Sequence, residues 1–124
     1  MKAVAKEKIR DALAHLAICS AHAPCTVFSN TELGRELGFV QAYTNRQHQL
    51  VVEVISTQVK DEGACVELLG KMVGVPGCNY GVFSSPVATA EDGADLVLKL
   101  FRVALKQEIQ VLDVEHFDSG VAPS

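Results

Sequence analysis

Cys19, His22 and Cys25 stand three positions apart, the one place in the chain where thiols and an imidazole crowd together. Thiolate and imidazole are ligands that zinc accepts, and on a helix Cys19 and His22 share a face. A structural zinc site takes four ligands, and no Cys-x-x-Cys or His-x-x-x-His pair supplies the rest. Cys65 and Cys78 are distant in sequence. No metal and no cofactor is therefore expected. The ordinary role of Cys19 is that of a small hydrophobe, with His22 near a helix end.

A second thiol, Cys78 in "VPGCNYG", falls in a turn where it would be exposed. A nucleophile needs a base, and His48 or His116 would have to be brought to it by the fold. The simpler expectation is an incidental turn cysteine. The chain contains no G-x-S-x-G, no G-x-x-x-x-G-K-[ST] and no G-x-G-x-x-G. Glu53, Glu62, Glu67, Glu91 and Asp92 form no recognisable acid/base set. No catalytic residue is assigned, and an enzyme is the third-ranked reading.

The remaining polar concentration is the run Thr44, Asn45, Arg46, Gln47 and His48, in which every side chain can hydrogen bond. Its plain explanation is a helix N-terminus facing water. Its functional explanation depends on what the surrounding elements are.

Those elements belong to a single domain over 1–112, with an acidic, flexible tail over 113–124. The chain has 124 residues, 48% of them hydrophobic and 21% charged, which is globular rather than disordered. Its net charge of −4 offers no general attraction to phosphates. Apolar runs are too short to span a bilayer, so no membrane partner is expected. Ala21-His22-Ala23 has the form of a signal-cleavage site, but Asp11 and His15 interrupt the apolar stretch before it. A cytoplasmic location with reduced thiols is the expectation.

Residues 3–20 carry Ile9, Leu13 and Leu16 at helical spacing. "PCTVF" is a short extended piece. In "SNTELGRELGF" Ser29 and Glu32 have the spacing of a capping box, Leu33 and Leu37 lie four apart, and Gly38 closes the run. These features predict a helix of about two turns. Residues 44–62 read as a helix by their polar lead-in, or as a strand by the β-branched "LVVEVISTQV". We take helix, with strand as the alternative. "ACVELLGKMVGV" and "YGVFSSPV" read as the strands of an antiparallel hairpin about "PGCN". Thr89 and Asp92 predict a second capping box, opening a helix over 90–112. That helix is apolar around an unusually wide arc.

The fold class is thus α+β, helical at both ends with a central antiparallel β-hairpin. "SNTELGRELGF", "YTNRQHQLVVEVISTQV" and "CVELLGKMVGVPGCNYGVF" resemble a winged helix-turn-helix, and the resemblance covers about residues 8–84. The resemblance implies that Thr31–Leu37 is the positioning helix and that the helix from Thr44 enters a DNA groove. The turn at 76–79 would be the wing. Thr44, Asn45, Arg46, Gln47 and His48 would then face base edges, with Arg35 and Lys71 meeting phosphates. The chain departs from that pattern in the β-branched content of its recognition segment, in its indistinct turn and in a wing with one lysine and no arginine.

Two functional readings follow. The leading one is nucleic-acid binding or transcriptional regulation on duplex DNA. The alternative is a small homodimeric protein- or ligand-binding module with no nucleic-acid role. If 50–59 is a strand, this alternative places helices on a three-stranded antiparallel sheet. In either case the wide face of the last helix, through Val97, Leu98, Phe101, Leu105 and Ile109, is the expected dimer interface.

Overall fold

"SNTELGRELGF" is a hairpin. In the computed structural model, which describes residues 2–19 and 24–117, strand β1 (Cys25–Glu32) turns through Leu33 and Gly34 into strand β2 (Arg35–Thr44). Leu33 has φ 53° and Gly34 φ 78°. Two successive positive φ values give the turn whose twist matches a two-residue hairpin. The capping box expected at Ser29 does not form, because the Ser29 hydroxyl donates to Glu36 Oε1 across the ladder at 3.0 Å. Gly38 lies within β2 and ends no helix. A Cβ there would come 2.7 Å from Gln107 Nε2, so the glycine admits that side chain against the strand.

The second correction is at 44–62. Strand β3 (Leu50–Ile55) pairs antiparallel with β2, and a short 3₁₀ turn (Ser56–Gln58) follows it. The β-branched residues that fit a helix poorly fit this ladder. Thr44 ends β2. Asn45, Arg46, Gln47 and His48 form the connecting loop, in which Asn45 Oδ1 accepts from the N–H groups of Gln47 and Gln49, both at 3.0 Å. The first two segments that carried the winged-helix resemblance, 29–39 and 43–59, are therefore mainly extended. The sheet they join is larger than a hairpin.

"ACVELLG", expected as a strand, lies in helix α2 (Glu62–Leu69). Asp61 caps it by accepting from Ala64 N at 3.0 Å, and Gly70, at φ 95°, ends it. Cys65 and Leu69, four apart, are its buried residues. The expected hairpin about "PGCN" survives in shorter form. Strand β4 (Val73–Gly74) pairs antiparallel with β5 (Gly81–Val87).

Thr89 caps helix α3 (Ala90–Lys99) as expected, accepting from Asp92 N at 3.0 Å. The helix does not continue to 112. It widens into a π turn (Leu100–Ala104), and Lys106 leaves the helical region at φ 57°. The freed carbonyl of Ala104 accepts from Lys60 N (2.8 Å) and Asp61 N (3.1 Å). Strand β6 (Val111–Phe117) then pairs with β1. Asp113–Phe117 of the expected tail are thus part of the sheet, and 118–124 lie outside the described residues.

The strands form one antiparallel sheet in the order β4-β5-β3-β2-β1-β6. Helix α1 (Lys2–Ile18) presents Ile9, Leu13 and Leu16 as expected, and packs with α3 over one face. A Cβ on Gly93 would meet Leu13 Cδ1 at 2.7 Å, which marks how closely these two helices approach. Phe28, Val40, Val52, Val54 and Phe83 supply the sheet's side of the core. The interface expected on the last helix is spent here. Val97, Phe101 and Leu105 are buried in the chain's own core, and Leu98 and Ile109 pack against it. The wide apolar arc faced α1, α2 and the sheet at once, and periodicity does not separate that from a subunit contact. Among the described residues no helix is long and apolar enough to cross a membrane.

Candidate functional site

Alternation along a strand sends neighbouring residues to opposite faces. With Phe28, Val40, Ala42, Val52, Val54 and Phe83 on the helix side, the ladder fixes the other side in rows. Glu115, Val27, Gln41, Glu53 and Ser84 run in one row across β6, β1, β2, β3 and β5. Phe117, Cys25, Tyr43, Val51 and Pro86 run in the next. Beyond the first row, Asp113, Ser29 and Phe39 align, as do Ile55 and Val82.

This outer face is apolar at its centre. Cys25, Val27 and Val51 are 4%, 8% and 5% exposed, yet they belong to no part of the helix-side core. Tyr43, in the same row as Cys25 and Val51, is half-buried. No described helix packs on them. "LVVEVI" is apolar on both sides, the pattern of a strand meant to be buried twice.

One carboxylate interrupts the surface. Glu53 lies between Val51 and Ile55 and accepts from Gln41 Nε2. Burial pushes its pKa up from the ordinary carboxylate value, opposed by the Gln41 hydrogen bond. Tyr43 is also raised, by burial first and then by the charge of Glu53, while its hydrogen bond with Ser84 pulls the other way. The Cys25 thiol is pushed up to about 11 by burial and by Glu53. Such a thiol is protonated at neutral pH and is no nucleophile.

Of the residues expected to bind nucleic acid, Thr44 to His48 stay contiguous at the end of β2 and in the β2–β3 loop, while Arg35 is at the far end of β2 and Lys71 is beside β4. Arg35 and Thr44 stand at opposite ends of β2, roughly 30 Å apart at about 3.4 Å per residue. Arg46, Gln47 and His48 are exposed in the β2–β3 loop, and Lys71 is exposed just before β4 at the sheet's edge. Nor does the fold join Cys78 to His116. The first lies in the turn after β4, at one edge of the sheet, and the second in β6, at the other. His116 Nδ1 shares a hydrogen bond with Thr26 Oγ1 at 2.7 Å. Its ring lies 4.9 Å from that of His15. Of the Cys19, His22 and Cys25 trio, His22 lies outside the described residues. The described residues contain no group of three or more metal-ligating side chains.

Sequence reasoning missed the outer face because its residues come from five strands. The available signal was the doubly apolar run 50–55. No protein-family model, curated protein or solved structure matches the chain.

Proposed function

We propose that this chain is a small protein-binding module that takes its partner onto the face of its sheet that no described helix covers. The observation that carries this reading is a set of partly exposed apolar side chains, Phe39, Tyr43, Ile55, Val82 and Phe117, around the buried Val27 and Val51 on the side of the sheet where no described helix packs. Contiguous apolar surface of this kind marks binding sites more often than it occurs by chance on a monomer.

The sheet's edges favour the face as the route. β4 is two residues long, and the rest of β5 carries Pro86, which cannot donate to an added strand. At the other edge β6 carries Asp113 and Glu115, and Lys8 Nζ of α1 donates to its Leu112 carbonyl at 2.6 Å. Charge and an intramolecular partner both discourage strand addition there. Nucleic-acid binding, the other reading, would have to run through the scattered cations Arg35, Arg46 and Lys71 beside an acidic face. Phosphate binding needs clustered cations.

The test is a photoreactive amino acid placed at Ser84, on the outer face, and separately at Glu67, on α2, in cells expressing the protein. Cross-linking from Ser84 to one defined protein, without the same adduct from Glu67, is the expected result. The same adducts from both positions, or none from Ser84, would overturn the reading.

A further inference from the structure

We infer that the occupant of the outer face is a cationic amphipathic helix of a partner protein, its apolar side on the partly exposed Phe39, Tyr43, Ile55 and Phe117 and its lysine or arginine side chains reaching Glu53, Asp113 and Glu115. This rests on the reading of that face as a docking surface and specifies what docks.

Charge selects the occupant. On the strand residues of this face the ionisable side chains other than Cys25 and Tyr43 are all carboxylates: Glu53 within the apolar layer, Asp113 and Glu115 along β6, and Glu36 near the hairpin tip. No strand residue here is Lys, Arg or His. A second copy of the chain docked by the same face would set carboxylate against carboxylate around a two-fold axis. Like charges so opposed are unfavourable, and most of all for a half-buried group such as Glu53.

Area points the same way. Five strands about 4.8 Å apart and some six residues deep give a footprint on the order of 500 Å². A stable globular interface usually takes about 800 Å² from each partner. One helix suits the smaller footprint. Because both edges discourage strand addition, a helix laid on the face, as α1 and α3 lie on the other, is the geometry that remains. The carboxylate within the layer then gains a cationic partner, which none of the described residues gives it.

The experiment uses three dye-labelled helical peptides of about 16 residues, long enough at 1.5 Å per residue to cross the face. They share one leucine stripe and carry lysine, glutamine or glutamate on the polar side. Fluorescence anisotropy with the full chain should show binding of the lysine peptide, at least tenfold weaker binding of the glutamine peptide and none of the glutamate peptide. The double variant Asp113→Asn, Glu115→Gln should weaken the lysine peptide about tenfold. The charge-matched pair Glu67→Gln, Glu108→Gln, away from this face, should not. Tyr43→Ser with Phe117→Ser should abolish binding of every peptide, with circular dichroism confirming the fold of each variant.

Equal binding of all three peptides, lost in the Tyr43 and Phe117 variant, would overturn the charge assignment and leave the docking face standing. Lysine-peptide binding indifferent to Asp113 and Glu115 would also overturn the assignment. Failure of every peptide to bind would overturn both. Light scattering supplies the remaining outcome: a dimer that dissociates in the Tyr43→Ser, Phe117→Ser variant would identify the occupant as a second copy and overturn the proposal.

Discussion

Gln41 donates its side-chain amide to the Glu53 carboxylate directly across the β2–β3 ladder, on the side of the sheet that no described helix covers. The amide offsets only part of the cost of holding a carboxylate among Val51, Ile55 and Val27. Burial remains the larger effect and raises the Glu53 pKa. An acid whose folded pKa lies above its unfolded value binds more protons when folded. Stability then falls as pH rises from the unfolded toward the folded value, and stays lower above it. Glu53→Gln is therefore expected to stabilise the isolated chain at pH 7, by less than about 1 kcal/mol because the group is half open to water. Thermal melts should show a rise of a few degrees at neutral pH, shrinking to nothing below the ordinary carboxylate pKa. A variant less stable than wild type at pH 7 contradicts the account.

Asn30 governs how the chain enters β6. Fully buried, its Nδ2 donates to Gln107 Oε1 (3.1 Å) and to the Glu108 carbonyl (3.0 Å), while its Oδ1 accepts from Gln110 N (2.8 Å). Gln107 Nε2 in turn donates to the Leu37 carbonyl at 2.8 Å, at the β-bulge in the β1–β2 ladder. Asn30→Ala leaves several of these groups without partners away from water. Each such loss costs about 1–3 kcal/mol, and the network loses about 2–4 kcal/mol in total. Urea denaturation should show the unfolding free energy lowered by that amount, with the midpoint moved down accordingly. A loss under about 1 kcal/mol would mean that water replaces the side chain.

The contrast between Thr89 and Ser29 shows what was legible in the sequence. Both sit three residues before an acid, and only Thr89 caps a helix. The stretch "CTVFSNTE" leads into Ser29 with residues suited to a strand, and its partners for pairing lie in β2 and β6, where a local motif cannot register them. Residues 50–55 declared their strand through β-branching, and the polar "TNRQHQ" before them imitated a helix start while forming an Asx-turn loop. Helices α1 and α3 and the β4–β5 hairpin followed from local signals. The end of α3 did not, since the break at Leu100–Ala104 is held by Lys60 and Asp61, far away in sequence. The outer face was illegible for the same reason, because its rows are assembled only by strand order.

Leu33 holds the first position of a turn that favours Asn or Gly, at φ 53° and 97% exposed. A branched side chain in the left-handed region costs about 1 kcal/mol, and here burial returns nothing. Leu33→Asn, which creates the preferred Asn-Gly pair, should stabilise the chain by about 0.5–1 kcal/mol. That corresponds to a few degrees in melting temperature. Unchanged or lower stability would show that Leu33 is held by contacts outside the hairpin.

The thiols should separate by burial. Cys25 and Cys65 are buried, and burial pushes both up to about 11, so at pH 7.5 each is thiolate only on the order of one part in 10³. Cys78 is exposed in the β4–β5 turn, and Cys19 is partly exposed after α1. A brief pulse of an alkylating reagent on the native chain, followed by peptide mapping, should label Cys78 first and Cys19 more slowly. Cys25 and Cys65 should react only at the rate of unfolding, and urea should equalise all four. Cys25 lies on the outer face, so its protection reads how fully that layer is closed to water. Labelling of native Cys25 as fast as Cys78 would contradict the burial of its thiol.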